Sequence, residues 1–155
     1  MERYRAWMRE ALALARVASE AGEVPVGALV ISPDGEVLAR AANARPGSRG
    51  EAAPDPTAHA EVRAIREAAA RLGTARLDGC TLVVSLEPCV MCAGAALQAR
   101  IGRIVFGAWD EKAGAVGGRL DVVREAGLPH RVEVVAGVLG EESAALLSAF
   151  FSPRR

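Results

Sequence analysis

Cysteine is scarce in this chain. It has three in 155 residues, so no disulfide framework can pair them without leaving a thiol over. The N-terminal stretch "MERYRAWMREALALA" carries glutamates and no cleavage-like pattern, so it does not read as a secretory signal. The thiols are therefore expected to be reduced, in a cytoplasmic setting. No uninterrupted apolar run reaches about eighteen residues, and no membrane span is expected. Net charge is absent as well, with 19 basic residues against 19 acidic ones. That balance excludes a generally basic nucleic-acid-binding chain, so any RNA must be held by a local patch. Lysine is nearly missing, Lys112 being the only one. Arginine suits phosphate recognition, but a chain this rich in alanine and glycine explains its arginine by codon bias just as well. What remains is 51% hydrophobic and 25% charged, enough to bury the core of one domain and too apolar for disorder.

Residues 2 to 21 read as an amphipathic helix, with Trp7, Ala11, Leu14 and Ala18 at helical spacing and Gly22 to end it. "VPVGALVIS", the turn "PDG" and "EVLARA" predict a β-hairpin. A glycine- and proline-bearing loop from Asn43 to Asp55 leads to a helix capped by Asp55 or Thr57 and ending near Leu72. "CTLVVSLE" is a strand, and Pro88 opens the next helix, where its missing N–H costs nothing. "RIVFGA" is a strand, 110–120 a glycine-rich loop, "DVVREAG" a short helix, "VEVVAGVL" the last strand and "EESAALLSAFF" the last helix. Strands alternating with helices predict an α/β fold with helices packed on a central sheet, and the opening hairpin makes that sheet mixed.

Two short motifs carry chemistry. "TAHAEV" places His59 two residues before Glu61, and "LEPCVMC" places Cys89 three residues before Cys92. Each is weak alone. His-x-Glu on a helix arises by chance, and CxxC is shared by redox pairs and structural zinc sites. Together they make a set. Zinc takes four ligands, and a catalytic zinc keeps one place for water, so one histidine and two cysteines are enough. A crossover can bring the two helix N-termini together at the C-terminal edge of the strands, where backbone N–H groups and the helix dipole favour thiolates. Glu61 does not point the same way as His59, and it can reach the metal's water as a proton carrier. A structural zinc site would need a fourth ligand. Cys80 reads as a buried small residue and His130 as a solvated loop histidine.

H-x-E followed by P-C-x-x-C is the signature of zinc deaminases. The segments "EVPVGA", "DPTAHAE", "LEPCVMCAGA", "RIGRIVFGA", "HRVEV" and "ALLSAFF" resemble the tRNA-specific adenosine deaminase family, in the family's order and along nearly the whole chain. The resemblance implies a three-layer α/β/α sandwich with a five-stranded mixed sheet, cytidine deaminase-like, in one domain over residues 1–155. It implies one zinc ion per subunit on His59, Cys89 and Cys92, with Glu61 as the proton shuttle. It assigns Asn43 to the target base or its ribose, Val26 to the apolar pocket wall, and Ala60 to the substrate site. Asp110 falls near the RNA backbone, and Phe150 and Phe151 form a C-terminal aromatic pair close to the bound loop, with Arg154 and Arg155 beyond. Trp109 departs from the pattern, standing beside Asp110 where a polar residue is expected.

The function so implied is hydrolytic deamination of adenosine to inosine at the wobble position of a tRNA anticodon. The expected assembly is a homodimer, and the expected partner is the anticodon loop, whose unpaired bases cost little to extrude. The same catalytic core would serve a deaminase of a free base or nucleoside of guanine or cytosine type. A catalytically silent RNA-binding subunit would typically lack the shuttle carboxylate, which is present here as Glu61.

Overall fold

The computed structural model describes residues 1–44, 53–125, 128 and 130–152. A five-stranded sheet has the order β2-β1-β3-β4-β5. Strands β1 (Gly27–Ile31) and β2 (Val37–Ala42) form an antiparallel hairpin. Its turn is closed by the Ser32 N–H donating to the Glu36 carbonyl at 2.8 Å. Strand β3 (Thr81–Leu86) runs antiparallel to β1, while β4 (Arg103–Ala108) runs parallel to β3 and β5 (Glu133–Val135) parallel to β4. The sheet is mixed, as the opening hairpin requires.

Helices cover both faces, which is why β1 and β3 are apolar at almost every position rather than alternating. On one face, Ala28, Val30, Leu82, Val84, Ile104 and Phe106 meet α2 (Ala60–Leu72) and α3 (Val90–Gln98). On the other, Leu29, Ile31, Val83 and Val105 meet α1 (Glu2–Glu20) and α4 (Gly140–Phe151). The stripe that α1 buries is Met8, Ala11, Leu12, Ala15 and Ala18, with Trp7 and Leu14 on its flank. It lies so close to the sheet that a side chain on Gly27 would strike the Ala11 carbonyl and Leu14.

Four expectations are corrected. Helix α2 begins at Ala60, with His59 at the capping position rather than inside the first turn. Asp55 does not cap it, because its Oδ1 accepts the Thr57 N–H at 2.8 Å and the Thr57 hydroxyl at 2.7 Å, closing a turn before the helix. The cap comes instead from Asn43, whose Oδ1 accepts the Ala60 N–H at 2.8 Å. Pro88 likewise stands outside α3, whose capping residue is Cys89. The "VEVVAGVL" strand stops at Val135, because Gly137 adopts φ 78° and turns the chain towards α4. The "DVVREAG" helix is a single 3-10 turn over Val122–Arg124.

Candidate metal centre and active site

Strand β3 leaves the sheet at Leu86, and three residues later Cys89 opens α3. Cys92 follows in the first turn, where the Ala93 N–H closes the helix on the Cys89 carbonyl at 2.8 Å. The N-terminus of α2 meets the same place. His59 Nδ1 lies 3.7 Å from Cys89 Sγ and 3.5 Å from Cys92 Sγ. All three donor atoms fall within 4.8 Å of one another, and they form the metal-competent group found among the described residues. The donor set fits zinc in both chemistry and size. A tetrahedron with Zn–S of about 2.3 Å and Zn–N of about 2.0 Å has N···S edges of about 3.5 Å, and the two separations of 3.5 and 3.7 Å come close to that figure.

Glu61 is buried, 4% exposed, beside the Cys92 thiol. Burial raises its carboxyl from 4.5 to about 7, and the negative charge at Cys89 pushes the same way. Cys89 moves in the opposite direction, down to about 5. The Cys92 thiol donates to it, and His59 and the backbone N–H groups opening α3 support the thiolate. Cys92 is pushed up by the Cys89 sulfur and by burial. Of the two thiols, Cys89 is therefore the one that ionises more readily.

The other expected residues divide by location. The Asn43 N–H donates to the Val26 carbonyl at 3.1 Å across the open end of the hairpin, and Asn43 Oδ1 holds Ala60. Val26, Asn43 and Ala60 therefore converge on His59 and Glu61. Asp110 sits in the loop after β4, where its carbonyl accepts the N–H of Gly114, the residue that pairs with Cys89. Asp110 Oδ1 accepts the backbone N–H of Lys112 at 3.0 Å and of Ala113 at 3.1 Å. Phe150 and Phe151 belong to α4, on the opposite face of the sheet from α2 and α3. Phe150 is buried at 7% exposure, Phe151 is 54% exposed, and their rings meet edge-on at 5.1 Å. Arg154 and Arg155 lie outside the described residues. Cys80 is buried just before β3, at the opposite end of that strand from Cys89. His130 is not solvated as expected. It is half-buried and donates its Nε2–H to the Ile101 carbonyl at 2.7 Å.

One residue of the site escapes the motifs. Glu87 is 2% exposed with no cationic partner among the described residues. Its Oε1 accepts the Asp110 N–H at 3.0 Å, and its Oε2 accepts those of Val116 at 3.0 Å and Gly118 at 2.7 Å. The carboxylate thus ties the loop after β4 to the segment that carries Cys89. Side chains at Gly114 or Gly118 would collide with it. The loop is fastened a second time where the Ala115 N–H meets the Pro88 carbonyl at 2.9 Å. Glu87→Ala would leave the buried Val116 N–H unpaired, at a cost of about 1–3 kcal/mol, while the part-buried Asp110 and Gly118 N–H groups can turn to water. The expected loss is about 1–3 kcal/mol by urea unfolding, and a loss under about 1 kcal/mol would show that water replaces the carboxylate.

A half-buried histidine, two cysteines and a buried carboxyl thus meet at paired helix ends, a group that could hold a metal ion. The chain belongs to the MafB19-like deaminase family, whose profile matches residues 2–155. It is 47% identical over 149 residues to the tRNA-specific adenosine deaminase of Bacillus subtilis, covering 96% of this chain and 89% of the relative. A solved structure from work on A-to-I editing by tRNA:A34 deaminases at the wobble position superposes with a TM-score of 0.83 and 43% identity, covering 92% of this chain and 99% of that one. The guanine deaminase of Nitrosomonas europaea shares the fold with a TM-score of 0.76 and 30% identity, over 94% of this chain and 83% of that one.

Proposed function

We propose that this chain is one zinc-dependent deaminase domain that converts adenosine to inosine at the wobble position of a tRNA anticodon. The observation that carries the reading is the buried Glu61 carboxyl set beside the His59, Cys89 and Cys92 donors. His59, Cys89 and Cys92 would hold the zinc, which when bound would lower the pKa of a water to about 7. Glu61 takes one proton as the water's oxygen adds to C6 and delivers it to the ring nitrogen, then passes the remaining hydroxyl proton to the amine, so that the C–N bond breaks, ammonia leaves and the C6 carbonyl forms. Its raised pKa suits both roles near neutral pH. Asn43 has its Oδ1 committed to α2, so its amide NH2 is the end that faces a base or ribose. Val26 supplies apolar wall, and Ala60 lies between ligand and shuttle. Asp110 shapes the loop that borders the RNA strand, and Phe150 supports Phe151 from beneath.

A tRNA substrate places the reaction in the cytoplasm, and no helix among the described residues is long and apolar enough to cross a membrane. Incubation with total bacterial tRNA, followed by sequencing for inosine, tests the reading. The guanine deaminase likeness favours one alternative, a free-base enzyme. Ammonia release from free guanine or cytosine with no inosine in tRNA would establish that alternative instead.

The reading includes a homodimer. The outer side of α3 offers Val90 at 55% exposure and Gly94, whose missing side chain faces open space. Close approach of a second copy is favoured where small and apolar residues lie uncovered. Gly94→Arg creates no clash within the chain, so it is expected to give a monomer by light scattering with its metal retained. A parent protein that is already monomeric at micromolar concentration would exclude the dimer.

A further inference from the structure

Trp109 is the first residue beyond β4, and Ala108 before it pairs with Leu86 of β3. Trp109 therefore leaves the same sheet edge from which Glu87, Pro88 and Cys89 emerge. Its ring packs edge-on against Phe106 at 4.9 Å and 84°, and Phe106 belongs to the core beneath α2 and α3. The indole thus stands at the sheet edge, with Phe106 on the side of α2 and α3 and the start of α4, at Gly140 and Glu141, bordering it on the other side. Gly117 lies against its six-membered ring. Even so, 51% of Trp109 remains exposed. It borders an open cavity of about 640 Å³ whose other walls are Glu111, Gly117, Gly118 and Arg119. Arg119 is exposed and has no carboxylate partner among the described residues. The floor of this cavity is anchored beside the metal centre, because Gly118 hangs on Glu87 and Cys89 pairs with Gly114.

A half-exposed indole on a fixed support, a cavity the size of a nucleotide and an unpaired guanidinium match one ligand chemistry. Unpaired bases stack on aromatic faces while arginine holds the adjoining phosphate. Glu111 repels a phosphate from its own side, which leaves the Arg119 side for the backbone. Resting on the tRNA reading above, we propose that Trp109 and Arg119 form a stacking subsite for the base of a nucleotide adjoining the target adenosine. The indole would then fix the register of the strand, so that one base enters the metal pocket while its neighbour is held outside.

The chain has two tryptophans, Trp7 and Trp109. In a zinc-loaded Trp7→Phe protein, emission therefore reports Trp109 alone. Titration with an anticodon stem-loop RNA is expected to quench that emission. Trp109→Ala is expected to weaken binding by about 5- to 150-fold, the range for one base–aromatic stack, with the loss falling more in KM than in kcat. Trp109→Phe keeps the contact with Phe106 and is expected to recover part of it. An RNA abasic at the stacked neighbour should bind the parent and Trp109→Ala proteins alike. Metal content shows whether each variant keeps its site, and should the alanine variant fail to fold, the phenylalanine variant, the quenching and the abasic RNA carry the test. If the parent forms inosine in the stem-loop while quenching is absent and Trp109→Ala binds as tightly, the subsite is overturned and the tRNA reading stands. If the parent forms no inosine in any tRNA, both fall.

Discussion

Glu61→Gln is expected to leave the metal in place and slow deamination by about 10²- to 10⁴-fold, the usual contribution of a positioned acid–base group. Glutamine keeps the shape and can hydrogen-bond, but it cannot take a proton from water or return one to the base. The same change should stabilise the metal-free protein. Below about pH 4.5 the Glu61 carboxyl is protonated in folded and unfolded chains alike, and it costs nothing. As pH rises towards about 7, the unfolded chain gives up its proton while the folded chain keeps it, and stability falls. The full shift corresponds to about 3 kcal/mol. Glutamine escapes that loss, so the two metal-free proteins should unfold alike near pH 4 and diverge by pH 8, with Glu61→Gln the more stable. A buried carboxyl that weakens the fold and is present nonetheless has its explanation in turnover. A variant that lost zinc in proportion to its activity would make Glu61 a ligand or a structural residue instead.

The group that could hold a metal was legible because its residues are local. Cys89 and Cys92 share one helical turn, and His59 stands two residues from Glu61, so spacing and residue type suffice to single them out. The strands were legible for a related reason: "LVVS" and "IVFGA" are buried on both faces and have no polar alternation to confuse. Misreadings came where long-range partners decide. Asp55 and Thr57 have the right chemistry for a cap, and they satisfy each other. The cap that forms comes from Asn43, 17 residues away. Glu87 ends an apolar strand with an acid, a visible anomaly, but its three donors lie 23 to 31 residues downstream in a loop with no periodicity. The Phe150–Phe151 pair shows the limit of motif reasoning. Neighbours on a helix face different ways, so one is covered by the core and only the other is exposed.

Cys89→Ser is expected to release the metal and abolish turnover, and the pattern of loss separates it from Glu61→Gln, which keeps the metal. Metal bound to His59, Cys89 and Cys92 would also contribute folding energy, because these residues join the ends of α2 and α3. The serine variant and the chelated parent should both melt lower than the loaded parent. The thiols give an independent readout. When the metal leaves, the half-buried Cys89 remains a thiolate at neutral pH, its pKa held near 5 by the Cys92 thiol, His59 and the start of α3. It should be alkylated by iodoacetamide at a rate nearly flat above about pH 6. Cys80, buried and pushed up by that burial, should stay unlabelled until the chain unfolds. Cys92 should keep its proton, pushed up by the neighbouring thiolate and by burial, until a metal displaces it. That displaced proton makes metal binding weaken as pH falls, and the release can be counted by titration in weak buffer. A parent protein that is fully active without metal, or a chelated parent in which Cys89 is as inert as Cys80, would remove the metal centre from the account.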